Sequence, residues 1–280
     1  MFSLNCSGKL VRAEIPLVMG IMNMTPDSFH AESRFDDAAG VLRQAEKMLK
    51  DGADMLDIGG QSTRPGAGEV GEEEELRRVT GAIDALHRRF PEAIISVDTW
   101  YARVAAEAVG AGAHIVNDIS GGMLDPAMLG TVGSLGIPYV CMHMRGRPSN
   151  MNSLNEYEDL ALTVMDYFTE RLAACHAAGI RDVILDPGFG FAKNGGQNLE
   201  LLHSLGTLRI FGRPLLIGLS RKSVVYKTLG ITSGEALNGT TVLNTIALLN
   251  GADILRVHDV KEAKQAILLI EAYKSKNPGR

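Results

Sequence analysis

The chain has 280 residues, 45% hydrophobic and 22% charged, and its 28 basic against 33 acidic side chains leave a formal net charge of -5. A mildly acidic composition with 5% aromatic residues excludes an extended nucleic-acid face, which needs clustered lysines and arginines beside stacking rings. The absence of any run of about 18 apolar residues and of a charged leader argues against a membrane span or secretory signal, and the scattered Cys6, Cys141 and Cys175 suggest reduced thiols in a cytoplasm rather than a disulfide framework or zinc site.

In chain order, Ser3 to Glu14 carry two short alternating runs about a turn at Ser7-Gly8, which predicts a hairpin. Eight short apolar or β-branched runs follow and are the predicted strands: Leu17 to Met22, Met55 to Ile58, Ile94 to Val97, Ile115 to Val116, Tyr139 to Met142, Val183 to Leu185, Leu215 to Leu219 and Ile254 to Val257. Amphipathic segments separate them. In Asp37 to Lys50, Val41, Leu42, Ala45, Met48 and Leu49 recur at spacings of three and four, the helical period. Gly52, Gly112, Gly136, Gly179 and Gly251 each end a helical pattern just ahead of a strand, where glycine suits a left-handed C-cap.

This strand-helix alternation continues without a linker or composition shift. It predicts an α/β fold, one domain over residues 1–280, with eight β-α units forming a (β/α)8 barrel and the hairpin closing its bottom. An open doubly wound sheet is the alternative and would place a ligand at a strand-order switch. The amphipathic segment Lys261 to Tyr273 reads as barrel coat rather than an interface helix.

A barrel concentrates its chemistry at the C-terminal strand ends. Here those ends carry Asn23, the Asp57 to Arg64 stretch, Asp98, Asn117, His143, Asp186, the Ser220-Arg221-Lys222 group, and Arg256 with His258. Each alone reads equally well as a strand cap. Together, carboxylates, an amide and cations around one mouth suit a ligand with a polar heterocycle at one end and an anion at the other. Asp57 is taken as structural.

Several apparent motifs carry nothing. Gly66 to Gly71 matches G-x-G-x-x-G, but Pro65 precedes it and Glu72 to Glu75 follow, which would repel a pyrophosphate. Those glutamates read as a solvated first helical turn. Gly190 to Gly196 lacks the Lys-Ser/Thr pair of a phosphate loop, and neither a G-x-S-x-G nor an H-E-x-x-H sequence occurs.

The blocks Gly20 to Phe29 (GIMNMTPDSF), Asp57 to Gly66 (DIGGQSTRPG), Ser96 to Thr99 (SVDT), Val116 to Gly122 (VNDISGG), Asp186 to Phe191 (DPGFGF), Ser220 to Lys222 (SRK) and Arg256 to Asp259 (RVHD) span nearly the whole chain. As a set, in this order, they resemble the dihydropteroate synthase family, pterin-binding (β/α)8 barrels. The resemblance implies a transferase of folate biosynthesis that joins p-aminobenzoate to 6-hydroxymethyl-7,8-dihydropterin diphosphate with Mg2+ assistance. It also implies a cytoplasmic homodimer whose aminobenzoate site takes sulfonamides, with small-molecule substrates and no nucleic-acid or membrane partner.

Carried over residue by residue, the resemblance implies that Asp98, Asn117 and Asp186 read the pterin edge, Lys222 donates to the ring, and Ile119, Met142, Phe191 and Gly218 line it. The diphosphate falls to Asn23, Thr63, Arg64, Arg256 and His258, with the Asn23 amide oxygen offered to Mg2+, which keeps several waters. Phe29, Thr63, Pro65, Phe191, Lys222 and Ser223 surround the aminobenzoate. Lys222, Arg256, His258 and Arg64 make up the catalytic set. The attacking group is the substrate's own arylamine, so a dissociative displacement driven by leaving-group electrostatics and positioning is expected, without a strong base.

Two departures lie in the strand-end loops: His30-Ala31-Glu32-Ser33-Arg34 follows Phe29 where many members have Ser-Asp-Gly-Gly, and Gln61 stands where a glutamate is frequent. Three rivals are weighed. A methyltetrahydrofolate-binding corrinoid methyltransferase would share the carboxylates but need no diphosphate cations. A Schiff-base aldolase would use Lys222 and leave the other blocks unexplained. A non-catalytic pterin-binding paralogue has only the altered loops in its favour.

Overall fold

Two antiparallel strands open the chain, β1 (Phe2–Cys6) and β2 (Lys9–Ala13). Ser7 and Gly8 between them both take positive φ, 52° and 87°, the turn that matches hairpin twist. The computed structural model describes residues 1–24, 34–61 and 70–276, the side chains of residues 34–38 and 152 excepted.

The eight predicted strands are present and parallel: β3 (Leu17–Asn23), β4 (Met55–Gly59), β5 (Ile94–Asp98), β6 (Ile115–Asp118), β7 (Tyr139–Met142), β8 (Val183–Asp186), β9 (Leu216–Ile217) and β10 (Ile254–Val257). Their order is β8-β7-β6-β5-β4-β3-β10-β9. The remaining seam between β8 and β9 is closed by a single parallel bridge, Leu185 to Leu215, and by Leu185 N donating to Pro214 O at 2.9 Å. The ring is a (β/α)8 barrel rather than an open sheet.

The seventh barrel strand is shorter than its apolar run. Leu215 N–H goes to the Asp253 carboxylate at 3.0 Å while its carbonyl still accepts from Asp253 N and Ile254 N, and Leu219 O accepts from Lys222 N at 3.2 Å, which turns the far end of the run out of the ladder. Helices α1 (Arg34–Lys50), α2 (Glu72–Arg89), α3 (Ala102–Gly110), α4 (Met128–Leu135), α5 (Leu160–Ala177), α6 (Gly195–His203), α7 (Ser223–Leu229), α8 (Leu237–Leu249) and α9 (Val260–Ser275) coat the outside. The five predicted C-cap glycines all have positive φ, from 65° at Gly136 to 115° at Gly112.

Side chains alternate inward and outward along each strand. Leu56, Ile58, Ile95, Val97, Val116, Cys141, Leu185 and Leu255 point outward and pack under the helices. Inward, Met19, Met55, Ile94, Ile115, Val140, Ile184, Leu216 and Ile254 form an apolar floor, one from each strand, plugged from below by Leu4, Cys6 and Ala13 of the hairpin. Each such buried side chain contributes about 1.5–3 kcal/mol. Two residues further along, the inward position changes character: Asp57 follows Met55, Ser96 and Asp98 follow Ile94, Asn117 follows Ile115, Asp186 follows Ile184 and Arg256 follows Ile254. The same period that builds the floor lifts these polar groups to the mouth.

One expectation is corrected. Glu72, Glu73 and Glu74 do meet solvent, but Glu75 is fully buried on the face of α2 that carries Val79, Ile83 and Leu86. The spacing of four from Glu75 to Val79 to Ile83 places it on the core face of the helix.

Candidate active site

Arg256 is the centre of the polar layer. Its Nε donates to Asp57 Oδ2 and its Nη2 to Asp98 Oδ2, both at 2.6 Å. Asn117 Nδ2 donates to the same Asp57 oxygen at 3.0 Å. Burial opposes charge on Arg256, yet the carboxylates of Asp57 and Asp98 hold the guanidinium above its ordinary pKa. Burial pushes Asp98 up to about 7 against the pull of Arg256.

Asp186 closes β8 on the other side of the mouth. Its Oδ1 accepts from Gly188 N at 2.8 Å, and burial raises its pKa, opposed chiefly by the Lys222 charge. Lys222 is itself lowered to about 8 by burial. Its Nζ donates to Phe189 O and stands 4.7 Å from the centre of the Phe191 ring. A Cβ on Gly218 would come within 3.7 Å of that ammonium, which places Gly218 beside it. The lysine owes its placement to Arg221, whose left-handed backbone (φ 54°) is anchored by a two-point pairing with Asp259 at 2.9 and 2.7 Å.

His258 leaves β10 two residues after Arg256. Ser220 Oγ lies 3.1 Å from its Nδ1 and accepts its backbone N–H at 3.1 Å. Taking two contacts from one histidine, this nearly buried serine orients the ring and is not an exposed nucleophile. Trp100, Ile119, Met142, Met144, Met151, Phe191 and Ala192 form an apolar cluster at the mouth.

The structure thus joins Asp98, Asn117 and Arg256 by hydrogen bonds and sets Asp186 and Lys222 within electrostatic reach of them. Ile119, Met142 and Phe191 form the wall, and Ser223 begins α7 directly after Lys222. Asn23 ends β3, half-buried, opposite Gly59 of β4. Phe29, Thr63, Arg64 and Pro65 lie outside the described residues, as do the first four residues, 66–69, of the G-x-G-x-x-G match.

Sequence reasoning left Asp57 out of the chemistry. It is fully buried and is the acceptor shared by Arg256 and Asn117. Its signal was parity: it stands two residues after Met55 on an inward strand position. A second missed group is Glu75, pushed up to about 7 by burial and bonded by the amide of Gln61. Gln61 also donates to Val70 O at 2.6 Å and accepts from Val70 N at 2.9 Å, so one side chain joins the residues that flank positions 62–69. Among the described residues no group of three His, Cys, Asp or Glu side chains is arranged to hold a metal ion.

Residues 19–258 match the family model of the pterin binding enzymes. The dihydropteroate synthase of Escherichia coli K12 is 43% identical over 259 residues, covering 92% of this chain and 91% of that one. This chain belongs to the dihydropteroate synthase family. A Yersinia pestis dihydropteroate synthase solved with a sulfonamide drug superposes at a TM-score of 0.91, with 42% identity, over 99% of this chain and 100% of that one. A Xanthomonas albilineans dihydropteroate synthase in complex with 7,8-dihydropteroate superposes at 0.88, with 35% identity, over 98% and 99%.

Proposed function

We propose that this chain is a transferase that condenses 6-hydroxymethyl-7,8-dihydropterin diphosphate with p-aminobenzoate, releasing pyrophosphate and giving 7,8-dihydropteroate. The observation that carries this reading is the Asp57, Asp98, Asn117 and Arg256 network, in which pterin-reading groups touch a diphosphate-binding cation directly.

Asp98, Asn117 and Asp186 face the aminopyrimidinone edge, whose adjacent donors pair with carboxylates and whose remaining positions suit an amide. Lys222 donates to the ring from the Phe189 side, and Ile119, Met142 and Phe191 exclude water from the ring faces. Arg256 offers its planar guanidinium to the ring and its charge to the diphosphate. His258, Arg64, Thr63 and Asn23 complete the diphosphate site, and Phe29, Thr63, Pro65, Phe191, Lys222 and Ser223 receive the aminobenzoate. As the C–O bond to diphosphate breaks, the electron-rich dihydropterin delocalises positive charge at its methylene and the arylamine adds there, losing one proton. The protein's part is to position both substrates and stabilise the leaving anion.

Mg2+ suits this site through few protein ligands. The Asn23 amide makes no side-chain hydrogen bond among the described residues and supplies one hard oxygen at the mouth. When bound, the ion neutralises charge on the diphosphate. The cation set weighs against the corrinoid methyltransferase, which has no diphosphate to hold.

The chain acts as one barrel domain and as a homodimer. Support for the dimer comes from an apolar face where α8 and α9 meet solvent: Val242, Ile246 and Leu249 recur at spacings of four and three, beside Leu268, Leu269 and Tyr273 of α9. Segment Lys261 to Tyr273 therefore does more than coat the barrel. No helix among the described residues is long and apolar enough to cross a membrane, and the buried thiols of Cys6, Cys141 and Cys175 are compatible with a cytoplasmic setting.

The deciding experiment is pyrophosphate release from the two purified substrates with Mg2+, paired with fluorescence of Trp100. This is the chain's one tryptophan, and it packs with Ile119, Met142 and Phe191. Turnover and an emission change on adding pterin diphosphate are expected. An emission change without turnover points to the non-catalytic paralogue, and the absence of both signals refutes the reading.

A further inference from the structure

The reaction proposed above makes no use of Lys193, a nearly buried lysine in the turn after β8. Its Nζ lies 2.9 Å from His143 Nδ1 and 3.1 Å from both Gly188 O and Phe191 O. Three acceptors surround it, matching the three N–H donors of an ammonium group.

The turn it grips, residues 187–193, carries several contacts of the pterin pocket. Gly188 N–H supports Asp186, Phe189 O accepts from Lys222, and the Phe191 ring lies beside the Lys222 ammonium. The turn is held against its own backbone preference. Ala192 has φ of 49°, a left-handed conformation that a residue with a Cβ rarely adopts. A Cβ on Gly188 would come within 2.0 Å of His143 O. Such a turn needs outside ties, and Lys193 supplies the inner one. Tyr157 Oη, donating to Ala192 O at 2.9 Å, and Asn198 Oδ1, accepting from Gly190 N at 2.7 Å, supply the outer ones.

We propose that Lys193 is a positioning residue for the pterin pocket: its ammonium, clamped between His143 and two turn carbonyls, fixes the turn whose Phe189 carbonyl holds Lys222 and adds a further positive charge near Asp186. This inference rests on the pterin-pocket reading and deepens it. The charged and titratable groups around Lys193 are His143 at the end of β7, Arg145 and Tyr157 in the connection that follows, Asp186 at the end of β8, and Lys222 ahead of α7. Tyr167 of α5 stacks edge-on against the His143 ring, 4.9 Å between centres.

Burial, reinforced by the charges of Lys193 and Arg145, keeps His143 neutral, so its Nδ1 lone pair is free to accept. Burial also lowers Lys193 to about 7, with Asp186 opposing. On losing its proton the amine can accept from an Nδ1–H tautomer of His143 while still donating to both carbonyls. The geometry survives, but the positive charge beside Asp186 is lost.

The test is Lys193→Met, measured against wild-type turnover. Expected is a KM for pterin diphosphate raised about tenfold near pH 6.5, with the deficit shrinking as pH rises through about 7 and the wild-type Lys193 loses its own charge. A loss equal at every pH from 6 to 9, or one confined to thermal stability, would overturn the proposal and leave the pterin reading intact. An inactive wild-type protein would instead strike at that reading. Should Lys193→Met fail to fold, 15N spectra of wild-type His143 at pH 6 decide: a proton on Nε2 with Nδ1 bare is expected, and Nδ1–H overturns the clamp.

Discussion

Arg256 Nε and Asp57 Oδ2 stand 2.6 Å apart although 199 positions separate them in the chain, and the same oxygen accepts from Asn117. Barrel closure makes this possible, because β10 and β4 both flank β3. Asp57 therefore holds both the arginine proposed for the diphosphate and the amide proposed for the pterin.

Replacing Asp57 with Asn removes the charge while keeping the shape. The expected result is a more than tenfold fall in kcat/KM, and a loss of about 1.5–3 kcal/mol in unfolding free energy, the range for a hydrogen bond to a charged group. Urea titration and steady-state rates measure both. Wild-type kinetics in this variant would return Asp57 to a purely structural role.

Ser220→Ala frees the His258 ring from its Nδ1 contact. One neutral hydrogen bond is worth about 1 kcal/mol. The expected outcome is therefore a kcat lowered about fivefold, with the KM for aminobenzoate unchanged. If aminobenzoate KM moved and kcat did not, His258 would belong to the other substrate.

Glu75 gives stability a pH dependence whose sign can be worked out. Burial raises its folded pKa to about 7, above an unfolded value of about 4.3. Between those values the folded chain holds a proton that the unfolded chain has released, so this group's contribution to stability falls as pH rises through the window. In Glu75→Gln that slope disappears, and the variant gains on the wild type from pH 4.5 to pH 8 in guanidinium melts. A difference independent of pH would contradict a protonated Glu75.

Leu269 is 72% exposed on α9 and Leu249 is 52% exposed on α8. If the face they share covers a second copy, Leu249→Asp or Leu269→Asp should convert a dimer to a monomer in sedimentation. A wild-type protein that sediments as a monomer at about 50 μM would end the homodimer proposal.

The period of two in the strands and the glycine ahead of five of the eight are local signals, so the barrel and most of the strand-end residues could be read from sequence. Asp98, Asn117, Asp186 and Arg256 stand on inward positions whose parity follows from an apolar residue two places earlier, or four in the case of Asp98. What could not be read depends on partners distant in sequence. Nothing near Asp57 announces Arg256, nothing in a run of four glutamates separates Glu75 from its neighbours without the helix face, and nothing beside Lys193 announces His143. The two-residue β9 was hidden for the same reason, since the ends of its apolar run bond to Asp253 and Lys222.

The thin join between β8 and β9 has a consequence for substrate. Asp186 stands on one flank of it and Gly218 with Lys222 on the other, linked along the backbone by one bridge. If the proposed site holds, a pterin gripped from both flanks would act as a suture, replacing with its own polar edge the rungs that this part of the ladder lacks. Occupancy should then stiffen the whole cylinder from its weakest stave, making the ligand a structural member of the wall it binds.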